Sequence, residues 1–138
     1  MHQRPIPVVR IILEDLEGRI LLLKRANTID GEGQLCLPGG KVDYNKTVEQ
    51  ACIDEVKEET NLDAYNLRFL FYQDMLPISK GETHWICFYF AAEHAGKLNL
   101  NRESSDAIWI KPSCLSSYDI AFRNDKAIIR YLSEFKKL

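Results

Sequence analysis

Glu55, Glu58 and Glu59 fall within about one turn of a segment with helical periodicity. Each helical residue advances by about 100 degrees, so the three carboxylates share one arc while Cys52, Ile53 and Val56 occupy a neighbouring apolar one. A solvated acidic face costs only about 0.2–0.5 kcal/mol per like-charge pair and needs no function. Here, however, Val48 and Cys52 lie nearly in line with Glu55 and Glu59, which directs these carboxylates along the edge of the buried face. At an effective dielectric near 20 and about 5 Å separation, two carboxylates repel by roughly 3 kcal/mol, which a proton or a cation relieves. Hard oxygen donors select magnesium or manganese. Just upstream, Gly39 and Gly40 are expected to form a sharp bend whose carbonyls an ion can approach, since no side chain blocks them. A site of this kind completes its shell with water and substrate phosphate, and the chemistry it suggests is metal-assisted attack on a phosphoanhydride.

The elements that must hold these groups are read from local pattern. Thr47 and Gln50 form a capping box and Asn61 suits a left-handed end, which predicts a helix over 47–60. Residues 8–13 and 20–24 are apolar and flank a polar turn with Gly18, the signature of a β-hairpin. Residues 26–34 read as a loop leading to a short strand at 35–37, and further strands are expected at 67–72, 84–92 and 107–110. Ala127, Ile128, Tyr131, Leu132 and Phe135 recur at helical intervals, giving a closing helix over 122–135. Strands on both sides of one acidic helix, with a second helix at the end, imply an α+β fold, an α/β/α sandwich with a mixed β-sheet between helices.

Gly40 to Leu62 resembles the Nudix box, G-x5-E-x7-R-E-U-x-E-E-x-G-U, with six of its nine fixed positions in agreement: Gly40, Glu55, Val56, Glu58, Glu59 and Leu62. The resemblance implies a Nudix fold and Mg2+- or Mn2+-dependent hydrolysis of a nucleoside diphosphate linked to another group, either a nucleoside triphosphate or a nucleotide sugar such as ADP-ribose. It implies that Glu55 and Glu59 coordinate metal with the Gly39 carbonyl, and that Glu58 is a further ligand or holds the water network. The general base is then Glu55, Glu58 or a distal acid. Three positions depart from the box. Asn61 replaces glycine, a mild change in a left-handed cap. Lys46 replaces glutamate and Asp54 replaces arginine, reversing two charges; the expectation is a swapped ion pair. On one straight helix the two would be about 12 Å apart, so Lys46 must fold back from the preceding loop. The alternative is a catalytically impaired domain that binds nucleotide as a regulatory module.

Arg25 at a strand end and Lys41 after the glycines are candidate phosphate donors, with Lys24 more simply a surface residue. Asp106 is the preferred additional acid before the strand holding Trp109, ahead of Glu103 and Glu82. His84 and His94 lack ligand partners at metal spacing and read as structural. Phe69, Phe71, Tyr72, Trp85, Phe88, Tyr89 and Phe90 offer rings for a nucleobase, although most must be core. The chain of 138 residues fits one domain, 1–138, and its 46% hydrophobic content suffices for a core. With 18 basic against 20 acidic side chains, no global field exists to hold a nucleic acid polymer. Cys36, Cys52, Cys87 and Cys114 lack C-x-x-C spacing and are expected to be reduced and mostly buried. MHQRPIPVVR lacks a signal-peptide apolar run, and no stretch is long enough for a membrane span. The expectation is a cytoplasmic protein, monomer or homodimer, acting on a small nucleotide.

Overall fold

The computed structural model describes residues 3–26 and 33–136. In chain order its elements are β1 (Ile6–Leu13), β2 (Ile20–Arg25), β3 (Leu35–Cys36), β4 (Gly39–Lys41), α1 (Val48–Thr60), β5 (Asp63–Met75), β6 (Trp85–Ala95), β7 (Ser104–Ile110) and α2 (Asn124–Glu134), with a 3-10 helix at Pro112–Ser117. One sheet has the order β4-β1-β6-β5, in which β1 and β6 run parallel and the other pairs antiparallel. A second, antiparallel sheet has the order β3-β2-β7. No helix among the described residues is long and apolar enough to cross a membrane.

Strand alternation sorts the apolar residues of β1 and β2 into two cores. Val9, Ile11 and Leu13 pack with Leu21 and Leu23 against Ala51, Cys52 and Val56 of α1. Val8 and Ile12 pack with Ile20 and Leu22 against Ala127, Ile128 and Tyr131 of α2. Each such buried side chain stabilises the fold by about 1.5–3 kcal/mol. This explains why β1 and β2 read as continuous apolar runs, because both of their faces are covered. The architecture is the expected α+β fold of mixed sheet and helices, with its strands divided between two sheets.

α1 follows its sequence signals closely. Thr47 Oγ1 accepts from the Gln50 N–H at 3.1 Å, Gln50 Oε1 accepts from the Thr47 N–H at 3.0 Å, and Asn61 closes the helix at φ 67°. Three local expectations need correction. The turn with Gly18 forms, but β1 and β2 share only the Glu14–Ile20 bridge and diverge into different sheets, because each finds its main partner far along the chain. Gly39 and Gly40 do not bend; they form β4 and pair with β1. β5 extends well beyond 67–72, and register shifts between Tyr65/Arg68 and Phe69/Phe71 break the alternation that would have revealed it. The expected loop at 26–34 lies mostly outside the described residues. The free cysteines match expectation: Cys36, Cys52 and Cys87 are buried and Cys114 is exposed.

The closing helix starts later than expected, because Phe122 and Arg123 adopt left-handed backbone conformations that no α-helix contains. Asn124 then opens α2 fully buried. Its Oδ1 accepts from the Leu37 N–H at 2.8 Å, and its Nδ2 donates to Tyr89 Oη at 3.1 Å and to the Phe122 carbonyl at 3.3 Å. Tyr89 in turn donates to Gln73 Oε1 at 3.1 Å, so one polar chain joins β5, β6, α2 and the segment between β3 and β4. Removing the amide leaves the Leu37 N–H buried without its acceptor, at about 1–3 kcal/mol. Asn124→Ala is expected to lower stability by at least that amount, measured by urea denaturation, whereas a change below about 0.5 kcal/mol would show that the amide is dispensable.

Candidate active site

The short strand β4 lies between β1 and α1, and its glycines are required by proximity. A Cβ on Gly39 would stand 1.9 Å from the Val9 carbonyl oxygen, and one on Gly40 would stand 2.6 Å from Glu55 Oε1. Gly39 donates its N–H to Glu59 Oε1 at 2.8 Å. Glu59 is thereby drawn inward until only 8% of its surface is exposed. Glu55 is half-buried against Gly40, whereas Glu58 stays exposed on the outer turn. The Glu55–Glu59 pair therefore sits by the glycines, while Glu58 faces solvent.

Burial, reinforced by Glu58, Glu103 and Asp43, pushes the Glu55 carboxyl up to about 7. Burial likewise pushes Glu59 up to about 8; the Gly39 N–H and Arg10 oppose this, while Glu55 and Glu103 add to it. Among the described residues, no three His, Cys, Asp or Glu side chains converge into a ready cage for a metal. The pair nevertheless fits a hard divalent ion. Burial and mutual repulsion disfavour the charged forms of both carboxyls, which a hard divalent ion would relieve, and Glu55 reaches the β4 backbone because Gly40 lacks a Cβ.

A cleft of about 700 Å³ opens beside this pair, lined by Glu59, Gly39 and Gly40. Arg25 and Lys41 both line it, as their positions in sequence suggested. Arg25 lies 4.7 Å from the centre of the Phe122 ring, and Lys41 Nζ lies 5.8 Å from that of Trp85. Asp106 does not line it. It is exposed on β7, opposite Lys24, and its Oδ1 accepts from the Ala107 N–H. The acid of this segment that reaches the cleft is Glu103, whose backbone carbonyl accepts from the Ala26 N–H at 3.0 Å where β2 ends. β7 begins at Ser104, earlier than expected, which leaves Glu103 at its mouth and carries Asp106 away. Glu82 lines the cleft too, with its carboxylate accepting the N–H groups of Ile78 and Ser79 at 2.7 and 2.6 Å. His94 is structural, bonded to the Glu14 carbonyl and stacked on Trp109.

Several cleft residues escaped the sequence reading, Arg10, Phe122 and Arg123 among them. Arg10 lies in the middle of β1, with its Nη1 donating to the Leu37 carbonyl at 2.8 Å. A guanidinium interrupting a run of Val, Ile and Leu was the available signal. Phe122 had none, since the helical pattern absorbed it. The reversed charges of the box form the anticipated pair: Lys46 bonds Asp54 from the loop before the helix cap. That contact raises the Lys46 pKa.

The NUDIX domain pattern matches residues 4–131. The chain is 32% identical over 138 aligned residues to the 8-oxo-dGTP diphosphatase of Haemophilus influenzae, covering 97% of this chain and 96% of that protein. A stretch of 62 residues is 42% identical to the ADP-ribose pyrophosphatase of Methanocaldococcus jannaschii, covering 45% of this chain and 36% of that one. The MutT protein of Methanosarcina mazei has the same fold, with a TM-score of 0.83 at 20% identity over 99% of each chain. The likeness in fold and sequence is thus to a class of hydrolases acting on small phosphorylated molecules. The chain belongs to the Nudix family and is a Nudix hydrolase.

The raised carboxyls set a pH dependence. From an ordinary value of 4.5 their folded-state pKa values rise to about 7 and about 8, so the fold favours their protonated forms. Their contribution to stability is greatest below 4.5 and declines as pH climbs through the folded values. The melting temperature gained on adding magnesium is therefore expected to grow between about pH 5 and pH 8.5; a gain independent of pH would contradict it. For the reversed pair, Lys46→Glu is expected to depress kcat, and Lys46→Glu combined with Asp54→Arg to recover most of it; no recovery would mean that the polarity matters.

Proposed function

We propose that the protein is a Mg2+- or Mn2+-dependent pyrophosphohydrolase whose substrate is a nucleoside triphosphate. The observation that carries this reading is the pair of carboxyls pressed against glycine backbone at the edge of a cleft lined by Arg10, Arg25 and Lys41. The end-to-end likeness to a protein named 8-oxo-dGTP diphosphatase supports a triphosphate over a nucleotide sugar. The shorter likeness to an ADP-ribose pyrophosphatase makes ADP-ribose the second substrate to try.

In this reading Glu55, Glu59 and the Gly39 carbonyl hold the divalent ion, with Glu58 joining from the solvent side. When bound, the ion neutralises charge on the phosphate chain and polarises the phosphoryl group under attack. Arg25 and Lys41 grip phosphate oxygens and fix the chain in line for attack. A water oxygen bonds to phosphorus, the bridging P–O bond breaks, and the leaving phosphate carries away the electron pair. The proton released by water passes to Glu55 or Glu58, with Glu103 as the distal acid in place of Asp106. The base rests on the apolar wall formed by Trp85, Met75, Leu76 and Ile78, whose side chains line the same cleft.

Glu58 is exposed, so its carboxylate can be removed with little cost to the fold. Glu58→Gln is expected to lower kcat by roughly 100-fold or more without shifting the melting temperature; full activity with magnesium present would remove Glu58 from the mechanism. A panel of nucleoside triphosphates, 8-oxo-dGTP and ADP-ribose, followed by product analysis, identifies the substrate and the bond cut. Tight binding without release of any product across the panel would favour the regulatory-module reading instead.

A further inference from the structure

A carboxylate in a cleft that receives a polyanion repels the ligand unless an ion or a donor comes between them. Glu55, Glu59 and Glu103 gather at the glycine end, where a divalent ion answers that repulsion. Glu82 lines the same cleft, yet it is not among the charges that raise either buried carboxyl. It stands instead with the apolar wall. Its Oε1 accepts from the Ile78 N–H at 2.7 Å and from the Ser79 N–H at 2.6 Å, and Ile78 is itself a wall residue beside Met75, Leu76 and Trp85.

The turn before β6 holds that carboxylate still. The Glu82 N–H donates to the Ser79 carbonyl at 3.2 Å, and Gly81, at φ 90°, supplies the left-handed residue that the reversal requires. One carboxylate oxygen is thus taken up by the backbone. Among the described residues, neither a hydrogen bond nor an ion pair reaches the other, Oε2. Leu76 and Ile78, 66% and 87% exposed, offer an apolar face on which a flat base can rest. A base resting there brings its edge to the carboxylate anchored at Ile78.

An ionised carboxylate only accepts, so it selects an edge that only donates. Among the nucleobases guanine alone sets two donors side by side, its N1–H and its 2-amino group. Adenine and cytosine place an acceptor next to the amino group, and uracil and thymine flank a single N–H with carbonyls. We propose that Glu82 is a specificity-determining residue of the cleft, its Oε2 accepting from the N1–H and 2-amino group of a guanine base. The assignment rests on the nucleotide reading of the cleft and names the base within it. Charge-assisted bonds to an oxygen already fixed cost little ordering and appear as selectivity.

The test is calorimetric titration of the full chain, with magnesium present, against dGMP, dIMP and inorganic pyrophosphate. dIMP differs from dGMP only in lacking the 2-amino group, and neither contains a phosphoanhydride bond, so binding is read without turnover. The unmodified protein is expected to bind dGMP about tenfold more tightly than dIMP. In Glu82→Gln the amide oxygen still accepts from both turn N–H groups, while a donor replaces Oε2. This variant is expected to lose about tenfold or more in dGMP affinity and to bind the two nucleotides within about twofold of each other, with pyrophosphate affinity within about threefold of the original. With dGTP and dITP as kinetic probes, the discrimination is expected in KM rather than kcat. Equal affinity of the unmodified protein for dGMP and dIMP, or no saturable dGMP binding, overturns the proposal. So does a pyrophosphate affinity that falls as far as that of dGMP, or a glutamine variant that discriminates as before while only Glu82→Ala is weakened, the behaviour of a side chain that does no more than cap its turn. Failure to hydrolyse any nucleotide would instead overturn the hydrolase reading, because the monophosphate comparison is decided by binding alone.

Discussion

Two carboxylates of α1 are held against the backbone of β4, Glu55 closer than a methyl group would allow and Glu59 by a hydrogen bond, and much of the structure serves that approach. Glycine at 39 and 40 permits it, on one side against the Val9 carbonyl and on the other against Glu55. The Gly39 N–H fixes it by taking Glu59 as acceptor. The cost is the removal of charge from water, visible in both raised carboxyl pKa values. The apolar packing of α1 on β1 and β2 offsets that cost, since Cys52 and Val56 are fully buried within a turn of the acids they hold in place.

The acids and the cations of the cleft are assembled differently. The three glutamates come from one helix whose start, stop and apolar stripe are all written within a few residues. The cations come from β1, β2 and β4 and, with Arg123, from the turn before α2, where Phe122 also enters the cleft. A polar chain through Gln73, Tyr89, Asn124 and Leu37 ties those dispersed elements together, with every member satisfied. Partly satisfied, such a chain would be worse than an apolar core.

This division accounts for what the sequence disclosed. The helix, its caps, the acid set and the swapped Lys46–Asp54 pair were legible because each is specified by neighbours in sequence. β4 was not, since glycines carry no strand pattern and their role is set by what lies across the ladder. Arg10 was overlooked because one charge in an apolar strand names no partner. Asp106 was preferred over Glu103 because the first residue of β7 decides which acid stands at the cleft, and strand boundaries are the weakest part of a local reading. Phe122 stands at the expected start of the closing helix, and only the left-handed backbone at 122 and 123 shows that the helix had not yet begun.

The pairing of the strands also governs how the molecule must come together. β1 begins at Ile6, yet its parallel partner opens at Trp85; β2 begins at Ile20, yet its longer partner opens at Ser104. Loop closure across such separations is slow, and topologies rich in it fold late and cooperatively. As the chain leaves the ribosome, its two most apolar strands therefore emerge with their mates still unmade. Until β6 has been synthesised β1 keeps an open edge, and until β7 has been synthesised β2 does, each exposed to aggregation for that interval.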